Sequence, residues 1–501
     1  MASSAAVQSE SRGFSTWLVL WLIALAVRLW GAFYLPNAEQ DGYSDAVTIA
    51  RLSASLAGGH FHTADLYGFW LPLFQFVAAV PNLWMRDPLL AGKIVSSLSG
   101  AVSCLLVFAI ADRLTHRLVL SGAVFALVLL NPLHLLYSAA CMTDVPFGCL
   151  TLASLWFLLR DRWVAAALCA ALAGGVRVEA WALIPLLPLL QWIRQRRISP
   201  LASALLVFPP LAWLFVSWMA RGNWFAFFAD RALYHAHYLD FHPSRRGFTL
   251  ADVSGDFAYL LLGANQIVVL ASLVAAGFIA IEFVRRRRTS WECFATVSYL
   301  FSIAGLLMLA YVTKRQPVWL PRYGLVVLVL GLPLLAWVTQ RFMERARPGW
   351  LGWLGAGLAV LACAAATSPQ LPIIPNVISD FRAHSKVADA LVADLEQRND
   401  HAARCFSDDI AVQVLSHLPP DRFLRSPSAP RATWDDVVVF ENYLREQHVG
   451  YVVFMPTEDS LPVKHYPELG QSPAPANGPF QFITSATSSF GPDVWLYRRL
   501  D

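Results

Sequence analysis

Three acids stand within seven residues in Glu39-Gln40-Asp41-Gly42-Tyr43-Ser44-Asp45, in a chain whose charged residues make up only 14%. Carboxylates gathered at a break in an apolar sequence suit general-base chemistry or the holding of a hydroxylated substrate. They also suit an ordinary helix start: if a helix begins near Gly42, Asp41 caps it and Asp45 sits in its first turn. Asp144, in Cys141-Met142-Thr143-Asp144-Val145-Pro146, reads either as capping with Pro just inside a helix or as a second acid. Gly175-Val176-Arg177-Val178-Glu179 places a cation and an acid two residues apart at a turn between two short apolar runs. The two can pair with each other, or Arg177 can bind a phosphate or orient an acid. Lys314, Arg315, Arg322 and Tyr323 complete the candidates. Arg322 stands just within an apolar run, where it either snorkels or grips a phosphate. The loop at 221–256 carries His235, His237 and His242 with Asp230 and Asp240. A His-x-His pair could take a divalent metal, but no tight ligand set follows, so a lid is the better reading and no cofactor is certain.

The elements that position these residues must be membrane helices. Hydrophobic residues make up 57% of the chain, above the roughly 45–50% of soluble domains, and mean hydropathy is +0.50. The excess is packed into runs of about 20 residues, the length that crosses a bilayer. The 19 Trp and 31 Phe fit interfacial belts. The net charge of +4 comes from short basic clusters, which speak to topology and not to nucleic acid. The seven cysteines show neither a disulfide framework nor metal-type spacing, and six fall in or near apolar runs.

Runs at 17–35, 89–111, 118–137, 144–159, 163–176, 180–193, 201–219, 257–284, 291–312, 318–339 and 350–366 read as about eleven spans. Arg28 inside the first is costly unless it faces a cavity or snorkels. Residues 69–84, interrupted by Pro72 and Pro81, read as helix on the membrane surface. With residues 1–16 as a cytoplasmic tail, the basic clusters after Arg113, Arg160, Arg194, Arg285 and Arg341 all fall inside. The loops at 37–88 and 221–256 then fall outside, as does the region 369–501. That region reads as a small α/β domain: an amphipathic helix at 387–397, strands at 404–407 and 451–454, a helix at 434–447 and a closing strand at 494–497. The membrane part is then 17–368, and the location a plasma or inner membrane crossed many times.

The motifs, taken in order, resemble the GT-C superfamily of integral-membrane glycosyltransferases. The resemblance is to its bacterial branch related to protein O-mannosyltransferases and aminoarabinose transferases. It rests on Asp41-Gly42-Tyr43 through Ile49-Ala50-Arg51, Leu56-x-x-Gly59, Trp70-Leu71-Pro72-Leu73-Phe74, Thr143-Asp144-Val145-Pro146, Gly175-Val176-Arg177-Val178-Glu179 and Pro321-Arg322-Tyr323. The set spans residues 17–340. The resemblance implies transfer of a sugar, mannose being one candidate, from a polyprenyl-phosphate donor to a glycan, lipid or protein acceptor on the outer face. Asp41 takes the place of the family's first-loop acid, the base of an inverting transfer, and cations such as Arg322 would stabilise the departing phosphate. Many relatives carry two adjacent acids there. Here Gly42 follows Asp41, so a paired role falls to Asp45 or Asp144. The tryptophan-rich motif of oligosaccharyltransferases is absent, which argues against N-glycosylation of proteins.

Two other classes compete. A lipid or sugar transporter or flippase would show internal repeats and broken helices at the midplane, whereas here the ionisable residues collect in outer loops and span ends. A non-catalytic assembly or sugar-sensing protein would carry a degenerate site.

Overall fold

The computed structural model describes residues 2–35, 43–59, 71–230, 265–285, 290–312, 321–345, 349–400, 402–426, 429–430, 432–456, 460–470, 479–487 and 493–500. The chain divides into two compact units, a helical one made of most of the chain up to Leu371 and a mixed one made chiefly of Pro372–Asp501.

The helical unit begins with α1 (Ala2–Tyr34), α2 (Tyr43–Ala57), α3 (Leu73–Met85) and α4 (Pro88–Thr115). The polar residues before Trp17 are helical and run continuously into the apolar part of α1. It continues through α5 (Leu118–Leu130), α6 (Pro132–Ser138), α7 (Asp144–Leu159), α8 (Trp163–Val176), α9 (Leu183–Gln195) and α10 (Pro200–Arg221). It closes with α11 (Gln266–Val284), α12 (Trp291–Val312), α13 (Leu325–Arg345) and α14 (Gly349–Ala365). Among the described residues five helices are long and apolar enough to cross a membrane: Ser15–Tyr34, Pro88–Thr115, Pro200–Arg221, Gln266–Val284 and Arg322–Arg345. A sixth appears if α5 and α6 are one broken span. The apolar helices α7 and α8 have 16 and 14 residues, short of the roughly 20 that a perpendicular crossing needs. An expectation of about eleven spans depends on counting such short helices as spans.

At the centre stands α13, whose residues Leu325 to Thr339 are all buried. A helix apolar on every side belongs inside a bundle, and α4, α5, α7, α11 and α12 surround it. A 3₁₀ turn, Pro321–Gly324, leads into it.

The run expected as a single third span is broken. Its two helices meet at 62°, with Asn131 in extended backbone between them. Pro132 has no N–H, so the Val128 carbonyl loses its helical donor. The Arg28 guanidinium of α1 supplies the missing donors, reaching the carbonyls of Val128 and Leu129 at 2.9 Å each. Arg28 is 0% exposed, so it neither snorkels nor faces water. Asn131 then caps α6, its Oδ1 accepting from the His134 N–H at 2.8 Å, and its Nδ2 donates to Gln370 at 3.0 Å.

The irregular stretch after α6 lies against α4 through a row of small residues. A Cβ on Gly92 would overlap Cys141, and one on Gly100 would overlap Ser138. Ser96 Oγ donates to the Met142 carbonyl at 3.1 Å and Ser97 Oγ to the Ser138 carbonyl at 2.9 Å. Positions 92, 96 and 100 share one helix face, and only small side chains there admit a second backbone. Buried non-helical backbone needs donors of this kind, and α4 provides them.

The second unit holds one five-stranded sheet in the order β2-β1-β3-β5-β4. Its strands are β1 (Arg404–Ser407), β2 (Phe423–Leu424), β3 (Val449–Phe454), β4 (Phe480–Ala486) and β5 (Val494–Arg499). β1 is parallel to β2 and β3; β5 is antiparallel to β3 and β4. Helix α15 (Ile373–Arg398) covers one face, packing Val387, Leu391 and Leu395 into a core with Tyr451, Val453 and Leu496. The other face packs Phe406, Val452, Phe454 and Tyr497 against Phe440 and Leu444. Alternate residues of β3 thus enter opposite cores, which is why it reads as a continuous apolar run. The helix expected at 434–447 is two helices, separated at Asp436, whose side chain caps the second by accepting from the Val438 N–H. β2 and β4 have no strong sequence signal: one is two residues long, and the other mixes apolar with hydroxyl and amide side chains.

Candidate active site

Three separate stretches converge at the head of α13. Asp144 occupies the first turn of α7, where helix N–H groups lack partners and a negative charge is favoured. Pro146 costs nothing in that turn because its missing N–H would have had no helical acceptor. Arg177 ends α8 in extended backbone, φ −145° and ψ 142°, and Glu179 follows in the 3₁₀ turn Val178–Ala182. Arg322 and Tyr323 lie in the 3₁₀ turn before α13.

The Arg177 guanidinium holds both acids. Its Nη1 donates to Asp144 Oδ1 at 2.9 Å. Its Nη2 and Nε donate to the two oxygens of Glu179 at 2.6 and 3.2 Å, a bidentate fork. Nη1 also reaches Thr143 Oγ1 at 3.4 Å, and the Thr143 side chain makes no cap bond to α7. Arg177 is 7% exposed, Asp144 4% and Arg322 2%. Both cations approach the Tyr323 ring, with Arg177 Cζ 5.2 Å and Arg322 Cζ 5.5 Å from its centroid. Arg322 Nη1 is 4.0 Å from Met142 Sδ, which ties the head of α13 to the stretch that α4 braces. Two guanidiniums and two carboxylates make the cluster formally neutral.

Asp144, Arg177, Glu179, Arg322 and Tyr323, with Phe147, Leu307 and Val326, line a cavity of about 10 Å³, room for one water. Asp144 Oδ2 is buried there with no hydrogen-bond partner among the described residues. One carboxylate oxygen is thus fixed by Arg177 while the other remains an open acceptor. That is the arrangement of an acid oriented to receive a donor group.

Five of the nine candidate residues therefore come together. Asp41, Lys314 and Arg315 lie outside the described residues. Asp45 belongs to α2, with its side chain outside them. The histidines 235, 237 and 242 and Asp240 also lie outside, while Asp230 sits 3.8 Å from Arg221 in an exposed ion pair. Among the described residues no group of three or more His, Cys, Asp or Glu could hold a metal ion. Sequence reading missed Lys93 on α4, 6% exposed, whose Nζ donates to the Leu35 carbonyl at 3.2 Å. The signal was available: a lone ammonium inside an apolar run is a functional candidate by default.

No family model matches the sequence, and no curated protein matches it. Solved structures do match. The crystal structure of ArnT from Cupriavidus metallidurans bound to undecaprenyl phosphate superposes with a TM-score of 0.53 at 12% identity, covering 98% of each chain. The archaeal oligosaccharyltransferase AglB from Archaeoglobus fulgidus, in complex with an inhibitory peptide and a dolichol-phosphate, gives 0.53 at 10% identity. That match covers 91% of this chain and 72% of the other. The protein shares the fold of these GT-C membrane glycosyltransferases.

Proposed function

We propose that the protein is an integral-membrane glycosyltransferase moving a sugar from a polyprenyl-phosphate donor to an acceptor on the extracytoplasmic face. The observation that carries this reading is the Asp144–Arg177–Glu179 cluster, with Asp144 and Arg177 buried, beside Arg322 at the head of the central helix. Support comes from full-length similarity in fold to a protein solved with undecaprenyl phosphate.

In this reading Asp41 takes the proton of the acceptor hydroxyl. The acceptor oxygen attacks the anomeric carbon from the side opposite the phosphate, so the centre inverts. The bond from that carbon to the phosphate oxygen breaks, and its electron pair stays on the departing lipid phosphate. Arg322, already desolvated, stabilises the added charge, and Lys93, Lys314 and Arg315 are further cations for it. Arg177 is spent on its two acids and acts as the residue that positions Asp144. Asp144 or Asp45 is the second acid. The acceptor is a glycan, lipid or protein, and mannose is the first donor sugar to test.

The transporter alternative expects broken helices that line a path. The one bent helix pair among the described residues has its freed carbonyls filled by Arg28, which gives that reading no support.

The test is transfer of labelled mannose and other sugars from polyprenyl-phosphate donors by the purified protein in nanodiscs. Asp41→Asn is expected to lower the rate about 10²–10⁴-fold, the usual contribution of a general base. Arg322→Ala is expected to cost about 10²–10³-fold, as for a lost donor to a developing anion. Full activity in Asp41→Asn would remove Asp41 from the mechanism. Movement of lipid-linked sugar across vesicles with no transfer from any donor would replace the enzyme with a transporter.

A further inference from the structure

The second unit carries a groove that the chemistry above does not use. It lies between the first half of α15 and the end of edge strand β4, with a volume of about 580 Å³. That falls in the range of small-ligand sites, roughly 300–1,000 Å³. Its helix side presents Arg382 and Lys386, four residues apart and so on one face. Both are exposed, and neither forms an ion pair among the described residues.

Two other cations of this unit have an acid: Arg398 and Arg498 both pair with Asp394, at 3.4 and 3.3 Å. Among the described residues, the lining of the groove includes no acid. Lys386 Nζ donates to the Ser485 carbonyl at 2.9 Å, which spans the groove from helix to strand and holds the ammonium over it. The strand side adds the hydroxyls of Ser485 and Thr487, and Ser379 supplies a third from the helix. The apolar surface of Ile378, Ala383 and Ala486 completes the wall.

Two cations with no ion-paired acid among the described residues select an anion. Three hydroxyls at the same mouth match a polyhydroxylated body, and apolar wall suits the carbon face of a sugar ring. We propose that this groove binds an acidic saccharide, a sugar bearing a phosphate or carboxylate. Resting on the glycosyltransferase reading, it is the site that holds the acceptor glycan.

The experiment is calorimetric binding of glucose 1-phosphate, glucuronate and neutral glucose to the full-length protein in detergent. Both acidic sugars are expected to bind, with glucose at least about ten-fold weaker, the value of one charge-assisted hydrogen bond. Arg382→Ala and Lys386→Ala should each weaken the acidic sugars by about ten-fold with unchanged thermal unfolding, and Lys386→Arg should restore most of the loss. Equal binding of glucose, or unchanged affinity in both alanine variants, overturns the proposal. Inorganic phosphate binding as tightly as glucose 1-phosphate overturns the saccharide assignment. So does capture of the protein by phosphatidylglycerol vesicles that depends on Arg382 and Lys386 while the free sugars fail to bind. The binding assay needs no donor. Acidic sugars that bind in a protein inactive with every polyprenyl-phosphate donor therefore leave the groove standing and sink the transferase reading alone.

Discussion

Arg177 is the residue on which the cluster depends. It pairs at once with buried Asp144 and part-buried Glu179, and its loss would remove the cation paired with Asp144 in a site that admits about one water. Removing one partner of a buried ion pair typically costs about 3–5 kcal/mol, because the remaining charge stays buried. Arg177→Ala is expected to lower the thermal unfolding midpoint sharply, whereas Asp144→Asn, which keeps a hydrogen-bond acceptor for Nη1, should cost much less. Equal midpoints for the two variants would contradict the bridging role. A second prediction concerns Asp408 in the mixed unit. Burial raises its pKa, against the hydrogen bonds from the Ser426 N–H at 2.7 Å and Oγ at 2.5 Å. An acid whose folded pKa lies above its unfolded value holds its proton more tightly when folded. Stability therefore falls as pH rises from the ordinary carboxylate range through the raised value. Asp408→Asn is expected to remove that part of the pH dependence, read as unfolding midpoints across an acidic pH series. An unchanged profile would place the raised acid elsewhere.

At the scale of elements, the site depends on how α5 breaks. The freed carbonyls of Val128 and Leu129, the cap at Asn131 and the small face of α4 fix the path of the chain from α6 to Asp144. Arg28→Leu would leave two buried carbonyls without donors, about 1–3 kcal/mol for each. Its unfolding midpoint in detergent should fall accordingly, and Arg28→Lys should recover part, since an ammonium can still serve one carbonyl. A midpoint equal to that of the unsubstituted protein in Arg28→Leu would mean the break is supported by something else. The same sequence feature, a charge in the first span, was legible as costly. Its purpose was not, because the helix it repairs lies 100 residues away.

For the whole molecule, none of the seven cysteines forms a disulfide, and six of them are buried. Burial pushes the Cys405 thiol well above its ordinary pKa, so it is a poor nucleophile inside the core of the mixed unit. Reductant should leave the unfolding midpoint unchanged, and intact-mass analysis after alkylation of the unfolded protein should find seven thiols without prior reduction. A mass short by pairs of thiols would mean disulfides.

Composition and apolar runs alone determined that this is a helical membrane protein with a mixed C-terminal region, and they placed many boundaries. α7, α8 and α12 span the residues their apolar runs predict, and β1 and β5 begin where β-rich runs begin. Those features are local: a run of apolar side chains needs a nonpolar surround whatever its neighbours are. Motif order also singled out Asp144, Arg177, Glu179, Arg322 and Tyr323 as candidates. Only the tertiary structure decided what they are to one another. The sequence allowed Arg177 to pair with Glu179, to orient an acid or to take a phosphate. The fold makes it bridge Glu179 and Asp144, the latter 33 residues before it, with both Arg177 and Arg322 close to the Tyr323 ring. Likewise β4 became legible only through its pairing with β5. Such relations depend on which surfaces meet across long sequence separations, where packing of the whole chain, and not the pattern of any one segment, sets the partner.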